Sequence, residues 1–443
     1  MHARGTFTDV FVLTGHGETV RAKVPTTSNQ AEGIKNGIDK AKAICKQKYD
    51  WSGGSFSFIH HGTTTATNAV LEGKGAVTGL IVTAGHKDIL SIRRSQIPGH
   101  LGAWLMYNPP EPVVALERTV QCQERMSVNG DTVREVDVEA LKNDLADLKR
   151  QKPAAVAVSL LNSYANDKHE RVVAKVLAEE FGPDVDIICS SDVLKESGEY
   201  ERSVTTAASA LIMPVVKNYF GKLSSTLKDD TDTIRVLKSD GGLTSLRTAE
   251  EAPISILMSG PAGGVKGAAD AICRSTPYQN LITLDVGGTS SDCAMVYKGK
   301  PQLRRETAIG ELIVRSPAVD VKTVGAGGGS IATYMELTET LRVGPESAGA
   351  VPGPACYGKG GHQATVSDAN LVLGYLPQEL LGGEFELDLD AAKKAVGGIA
   401  EQMGIPLEQA AEDIIRIINE TMFGAVRNVS VENGFDPRDF AVS

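Results

Sequence analysis

The sequence predicts a two-lobed α/β protein, and three observations predict it. Strand-length apolar runs alternate with helical stretches along most of the chain. A long helical stretch from Glu196 to about Leu227 breaks the alternation and marks a junction. One Gly-Thr hairpin pattern occurs twice, once at each end of the alternating text. At 443 residues the chain is too long for one ordinary compact domain. We therefore divide it into residues 1–195 and 196–443.

The elements follow in order. Thr8 to Leu13 reads as a strand, Gly15 to Gly17 as a turn, and Thr19 to Val24 as the return strand. Ala31, Ile34, Ile38, Ala41 and Ile44 recur at helical spacing within Asn29 to Lys48. Ser57 to His60 leads through a Gly-Thr-Thr turn into a helix ending near Leu71, and Leu80 to Thr83 is a short apolar strand. Arg94 to Pro112 is rich in Gly and Pro and reads as irregular. A helix over 137–152, a buried strand over Ala154 to Leu160, a helix over 167–180 and a strand over Val185 to Cys189 complete the first α/β run. The second begins at Ile234 to Leu237, and 391–430 is mainly helical.

Composition excludes several classes. The formal net charge of -10, with only short basic clusters, argues against a nucleic-acid binder. No apolar run has the length of a membrane span and the first residues lack a signal-peptide core, so we expect a cytoplasmic protein. Six scattered cysteines without a C-x-x-C pair fit reduced thiols.

The repeat carries the chemistry. Arg4-Gly5-Thr6-Phe7-Thr8-Asp9 opens one hairpin, and Gly287-Gly288-Thr289-Ser290-Ser291-Asp292 opens another after the strand Asn280 to Asp285. Glycines let backbone N–H groups approach phosphate oxygens, and Thr and Ser add hydroxyl donors. An Asp at either end suits Mg²⁺ beside the phosphates. Gly5, Thr6, Thr8, Gly287, Gly288, Thr289 and Ser290 are therefore candidate nucleotide-binding residues, and Asp9 and Asp292 candidate metal-side carboxylates. Turn capping is the weaker alternative for each Asp. Gly327 and Gly328, in Gly325 to Ser330, join the nucleotide group, against close backbone packing as the alternative. Ser259 to Val265 precedes a small-residue helix whose N–H groups could meet an anion. Two such hairpins in separate lobes match the actin-like, sugar-kinase and heat-shock ATPase plan.

Asp285 could orient a metal-bound water, accept a proton or be structural. Asp240, in Ser239-Asp240-Gly241-Gly242, and Asp368 are further candidate catalytic carboxylates, each also readable as a loop stabiliser. For His60 and His61 a hydrogen-bonded role outweighs metal ligation, because no partner stands at ligand spacing. Thr63 and Thr64 read as helix caps, and Cys356 lacks a base that would make it a nucleophile.

These segments resemble the hydantoinase A/5-oxoprolinase family, which includes acetone and acetophenone carboxylase subunits. The resemblance rests on Gly5 to Asp9, His61 to Ala69, Asp285 to Asp292, Ser259 to Val265 and Gly325 to Ser330. Val343 to Ala350, Pro352 to Gly358 and Thr365 to Asn370 extend it. It implies ATP and Mg²⁺, a hydantoinase B-like partner, an oligomer, and ring opening of a cyclic amide through phosphorylation of its carbonyl oxygen. A ketone carboxylase subunit is the alternative reaction. It also implies a chain shorter than the family at both ends, hence an incomplete fold and, as a rival, a non-catalytic remnant. His2 and Arg4 stand where the family has Asp and Gly, Ser209 where it has Asn, and Asp167 where it often has Pro. Ending at Ser443 should leave a sheet edge unpaired and the apolar faces of 391–431 partly uncovered, favouring association.

Overall fold

The computed structural model describes residues 7–25, 27, 30–49, 51, 54–95, 109–380 and 385–443. The chain forms two compact units. One comprises Met1–Gly53, Pro261–Leu303 and Val319–Ser443, and the other Gly54–Gly260 and Arg304–Ala318. This spatial division does not follow the linear one at 195/196, because the chain leaves the first unit early and returns to it. Both hairpins of the repeat belong to the first unit, which corrects the expectation of one in each lobe.

The first unit opens with β1 (Phe7–Leu13) and β2 (Thr19–Pro25), paired antiparallel. One face of this ribbon buries Val12, Val20, Ala22 and Val24. It packs on α1 (Gln30–Tyr49), whose Ala31, Ile34, Ile38 and Ala41 form the complementary stripe. A Cβ on Gly37 would stand 2.6 Å from Val10 Cγ2, so the close approach of helix and ribbon requires glycine there.

The second unit is a layered α/β body. Its early elements are β3 (Ile59–His61), α2 (Thr65–Leu71), β4 (Thr78–Thr83), α3 (Ile89–Ile92), β5 (Thr119–Cys122) and the ribbon β6 (Arg125–Met126) with β7 (Thr132–Arg134). There follow α4 (Val138–Asp144), α5 (Ala146–Arg150), β8 (Ala155–Ser159), α6 (Lys168–Phe181), β9 (Asp186–Cys189), α7 (Ser190–Val193) and α8 (Glu199–Leu227). Strands run parallel in the order β5-β4-β8-β9. Strand alternation sends Leu80, Val82, Ala155 and Ala157 to α8, where Val204, Ala207 and Ala210 meet them. Ile81, Val156 and Val158 face the other way, against Leu141 and Leu148 of α4 and α5 and Val173 and Leu177 of α6. Burial on both faces explains why these strands are continuously apolar. β10 (Ile234–Leu237) then lies between β3, parallel, and β11 (Leu243–Ser245), antiparallel, with α9 (Leu246–Glu251) beyond.

α10 (Ser259–Ser275) leads into the main sheet of the first unit. β12 (Leu281–Val286) and β13 (Ser291–Tyr297) pair antiparallel, and β14 (Lys300–Pro301) continues the sheet. β15 (Leu303–Arg304) carries the chain out to the hairpin β16 (Thr307–Ile309) and β17 (Leu312–Val314), and β18 (Ala318–Val319) brings it back. β19 (Val321–Val324) pairs with β13. One sheet face packs on Ala262, Val265 and Ala269 of α10. Beyond β19 come the ribbon β20 (Ser330–Met335) with β21 (Thr340–Ser347), α11 (Val366–Val372), the short pair β22 (Glu379–Leu380) with β23 (Phe385–Glu386), α12 (Leu389–Met403) and α13 (Leu407–Ser430). The other sheet face packs on Ala425 and Val429 of α13.

The faces expected to be partly uncovered are largely packed, although Phe423 stays exposed. Ile399, Ile414 and Ile418 are buried together with Ala332, Val343 and Val366, and Met403, Ile417 and Met422 pack against them. β24 (Ala441–Val442) pairs parallel with β12 at Leu281 and Ile282. Among the described residues no helix is long and apolar enough to cross a membrane.

Candidate active site

The strongest site lies at the β12–β13 turn. Gly287 N–H donates to Ser290 carbonyl at 2.8 Å and closes the turn. Behind it runs the loop Gly325 to Ser330, docked backbone to backbone. Gly328 N–H donates to Gly287 carbonyl at 2.9 Å, and Gly329 N–H to Gly288 carbonyl at 2.6 Å. A Cβ on Gly327 would stand 2.6 Å from Gly287 carbonyl oxygen, and one on Gly329 2.7 Å from Gly288 carbonyl oxygen. Only glycine permits this approach. Gly327 N–H is used as well, donating to Ser330 Oγ at 2.9 Å. Gly327 and Gly328 are thus corrected from nucleotide donors to supports: their amides are spent inside the protein.

The front of the turn is different. A Cβ on Gly288 would meet nothing within 4 Å. The N–H groups of Gly288 and Thr289 have no hydrogen-bond partner among the described residues. Gly288 is exposed, and Thr289 and Ser290 are half-buried. Asp285 and Asp292 are directly opposed across β12 and β13, and Asp292 is opposed to Thr323 across β13 and β19. All three therefore share one face of the sheet. Asp285 is exposed. Asp292 is buried, and Thr323 Oγ1 donates to its Oδ1 at 2.5 Å. Thr323 was invisible to motif reading, although it stands two residues before the glycine-rich loop.

The first repeat is not equivalent. Gly5 and Thr6 lie outside the described residues. Thr8 is buried, with no partner for its hydroxyl among the described residues. Asp9 points outward and pairs with Lys23 at 3.3 Å. Its carboxylate stands on the exposed side of the ribbon, where the strand alternation puts it. Among the described residues no three His, Cys, Asp or Glu side chains converge on a metal-sized site.

Asp368 is corrected outright. Its carboxylate is wholly buried and accepts from the N–H of Ala355, Cys356 and Thr365 and from Thr365 Oγ1. With Thr365 it forms the capping box of α11. Such a group ties the Ala355–Cys356 turn to the start of α11. Cys356 is equally buried, and burial, with Asp368 beside it, pushes its thiol far up, away from nucleophilic use.

In the second unit a separate polar cluster forms where parallel β3 and β10 end. Asp240 accepts from Lys238 Nζ and from Gly242 N–H, each at 2.8 Å. Burial works against its ionisation, but these two donors win and hold the carboxyl below its usual range. Thr63 Oγ1 accepts from Thr65 N–H at 3.1 Å, while Thr63 carbonyl accepts from Ser259 Oγ at 2.8 Å. Thr63, not Thr64, therefore accepts the backbone N–H bond at the start of α2, while Thr64 Oγ1 accepts from Asn68 Nδ2 at 3.4 Å. His61 bonds Tyr219 Oη at 2.7 Å, and burial lowers its pKa to about 4, so the ring is neutral near pH 7. That is the hydrogen-bonded histidine the sequence favoured. Lys238 was missed, because a lone Lys beside a Ser-Asp-Gly-Gly turn carries no motif.

The β12–β13 turn thus sets two unpaired backbone amides beside strand-borne carboxylates in an α/β unit. The chain belongs to the hydantoinase/oxoprolinase family: residues 4–181 match its N-terminal region and residues 202–443 match its main domain. Caprolactamase subunit alpha of Pseudomonas jessenii is 36% identical over 450 residues, covering 99% of this chain and 64% of the relative. A crystal structure of ATP-dependent caprolactamase from Pseudomonas jessenii matches with a TM-score of 0.82 and 33% identity, over 100% of this chain and 64% of that one. Acetone carboxylase in its nucleotide-free structure also gives a TM-score of 0.82, at 27% identity, over 99% of this chain and 63% of that one. 5-Oxoprolinase 1 of Arabidopsis thaliana is 32% identical over 496 residues, covering 99% of this chain and 37% of the relative. The chain thus spans less than two thirds of the length of these relatives.

Proposed function

We propose that the chain is the ATP-using part of an enzyme that opens a cyclic amide such as a hydantoin, 5-oxoproline or a related lactam. One observation carries the reading: the amides of Gly288 and Thr289 are unpaired at an open turn beside Asp285 and Asp292. Unpaired, convergent N–H groups suit phosphate oxygens, and carboxylates beside them suit Mg²⁺ through its waters. Bound ATP would supply a phosphoryl group for the amide oxygen, leaving a carbon open to water. The chain's own part is to cradle the phosphates at Gly287 to Ser290, with Asp292 and Asp285 on the metal side. The antiparallel strands β14-β13-β12, with β24 joining parallel to β12, agree with an actin-like ATPase half.

The names of caprolactamase and 5-oxoprolinase favour cyclic amides. Acetone carboxylase matches the fold equally well, so a ketone carboxylase subunit is the second reading. Relatives named as subunits favour a separate partner, which we take to be hydantoinase B-like. The test is ATP hydrolysis by the purified chain, with and without that partner, over hydantoin, 5-oxoproline, caprolactam and acetophenone with bicarbonate. Stimulation by a cyclic amide supports the reading. Stimulation by acetophenone alone moves it to the carboxylase, and no ATP binding or turnover in any combination leaves a non-catalytic chain.

A further inference from the structure

The second unit contains a cavity of about 450 Å³ lined by neither of the turns described above. Its walls come from the end of α2, the start of β4, α3, α8 and the β16–β17 hairpin. Leu90 and Val204, both buried, and Leu211 supply the apolar part of its lining. Two arginines also line it. Arg93 Nη2 donates to Pro110 carbonyl at 2.9 Å. Arg118 is half-buried, and its Nε is buried without an acceptor among the described residues. Buried guanidinium N–H groups are rarely left unbonded in folded proteins unless something outside the chain supplies the acceptor.

Three features select the ligand. The volume is that of a small-molecule site. The unsatisfied fork of Arg118 matches a carboxylate, which takes two parallel N–H bonds from one guanidinium. The apolar walls would repel a fully ionic ligand such as free phosphate but accept a hydrocarbon body. Glu111 and Glu311 also line the cavity, and both are exposed to solvent. We propose that this cavity binds a small amphiphilic carboxylate, its head on Arg118 and its apolar body between α8 and β4. The site is independent of the phosphate-binding turn, and its failure would leave the proposed ATP chemistry untouched.

Calorimetric titration of hexanoate into the full 443-residue chain tests this, with hexylamine as the oppositely charged probe. Hexanoate should saturate one site and hexylamine should not. Arg118→Ala should weaken hexanoate at least tenfold. Leu71→Trp, at an exposed lining residue that tolerates bulk, should block the cavity and weaken binding similarly. Thermal melts confirm that each variant is folded, and Leu71→Trp keeps the test alive if Arg118→Ala is not. Absence of saturable hexanoate binding to the folded wild type would overturn the proposal. So would equal affinity in all folded proteins, or hexylamine binding as tightly as hexanoate.

Discussion

The two Gly-Thr hairpins share a sequence pattern and differ in what surrounds them. β13 lies between β12 and β19 and is covered on both faces by α10 and α13. Its first two residues are consequently both buried: Ser291 Oγ donates to Ala326 carbonyl at 2.6 Å, and Asp292 accepts from Thr323. Among the described residues β1 pairs only with β2 and is covered by α1, so Thr8 turns inward and Asp9 turns out to Lys23. The same aspartate is a held, directed carboxylate in one repeat and a surface ion pair in the other. A motif names residues; the number of neighbouring layers decides what they do.

The largest expected difference is steric. Gly327→Val should destabilise the protein by about 3 kcal/mol in urea melts, because its Cβ meets Gly287 carbonyl oxygen and neither backbone can yield. Gly288→Ala, with open space around it, should stay within about 0.5 kcal/mol of wild type. Equal losses would show that the turn is not clamped from behind.

The next contrast is in binding. Asp292→Ala should weaken Mg·ATP at least about tenfold by calorimetry, some 1.4 kcal/mol, while Asp9→Ala should leave affinity within about twofold. Matching losses in both would restore the equivalence of the repeats and break the contrast drawn from their burial.

A smaller contrast separates the residues that precede them. Ser291→Ala removes a satisfied buried hydroxyl and should cost about 1 kcal/mol. Thr8→Val replaces an unpartnered one with an isosteric methyl and should be neutral or mildly stabilising. A loss of similar size in Thr8→Val would mean that its hydroxyl has a partner in solution. The effect of Asp9→Ala is also small, its exposed pair with Lys23 being worth no more than about 0.5 kcal/mol.

Sequence alone was sufficient for the order and type of most elements. The strand-length run of Thr8 to Leu13 and the continuous apolarity of Ala154 to Leu160 are local signals of extended chain. The helical stripe of Ala31 to Ile44 is equally local, and the structure returns all three. The Gly-Thr turn and the family were legible for a similar reason: backbone approach to phosphate demands particular residues at adjacent positions.

Tertiary structure decided everything that depended on a distant partner. Gly325 to Ser330 reads like a second phosphate loop, yet its amides at Gly327, Gly328 and Gly329 are consumed by groups of their own loop and of the β12–β13 turn. Asp368 reads like a cleft carboxylate, yet four donors from segments around it close it off. The two repeats read as one per lobe, yet both fall in one compact unit. Periodicity records how buried a residue is along its own element. Whether a buried polar group is spent or left open is settled by which other segment reaches it, and that is fixed only when the chain has folded.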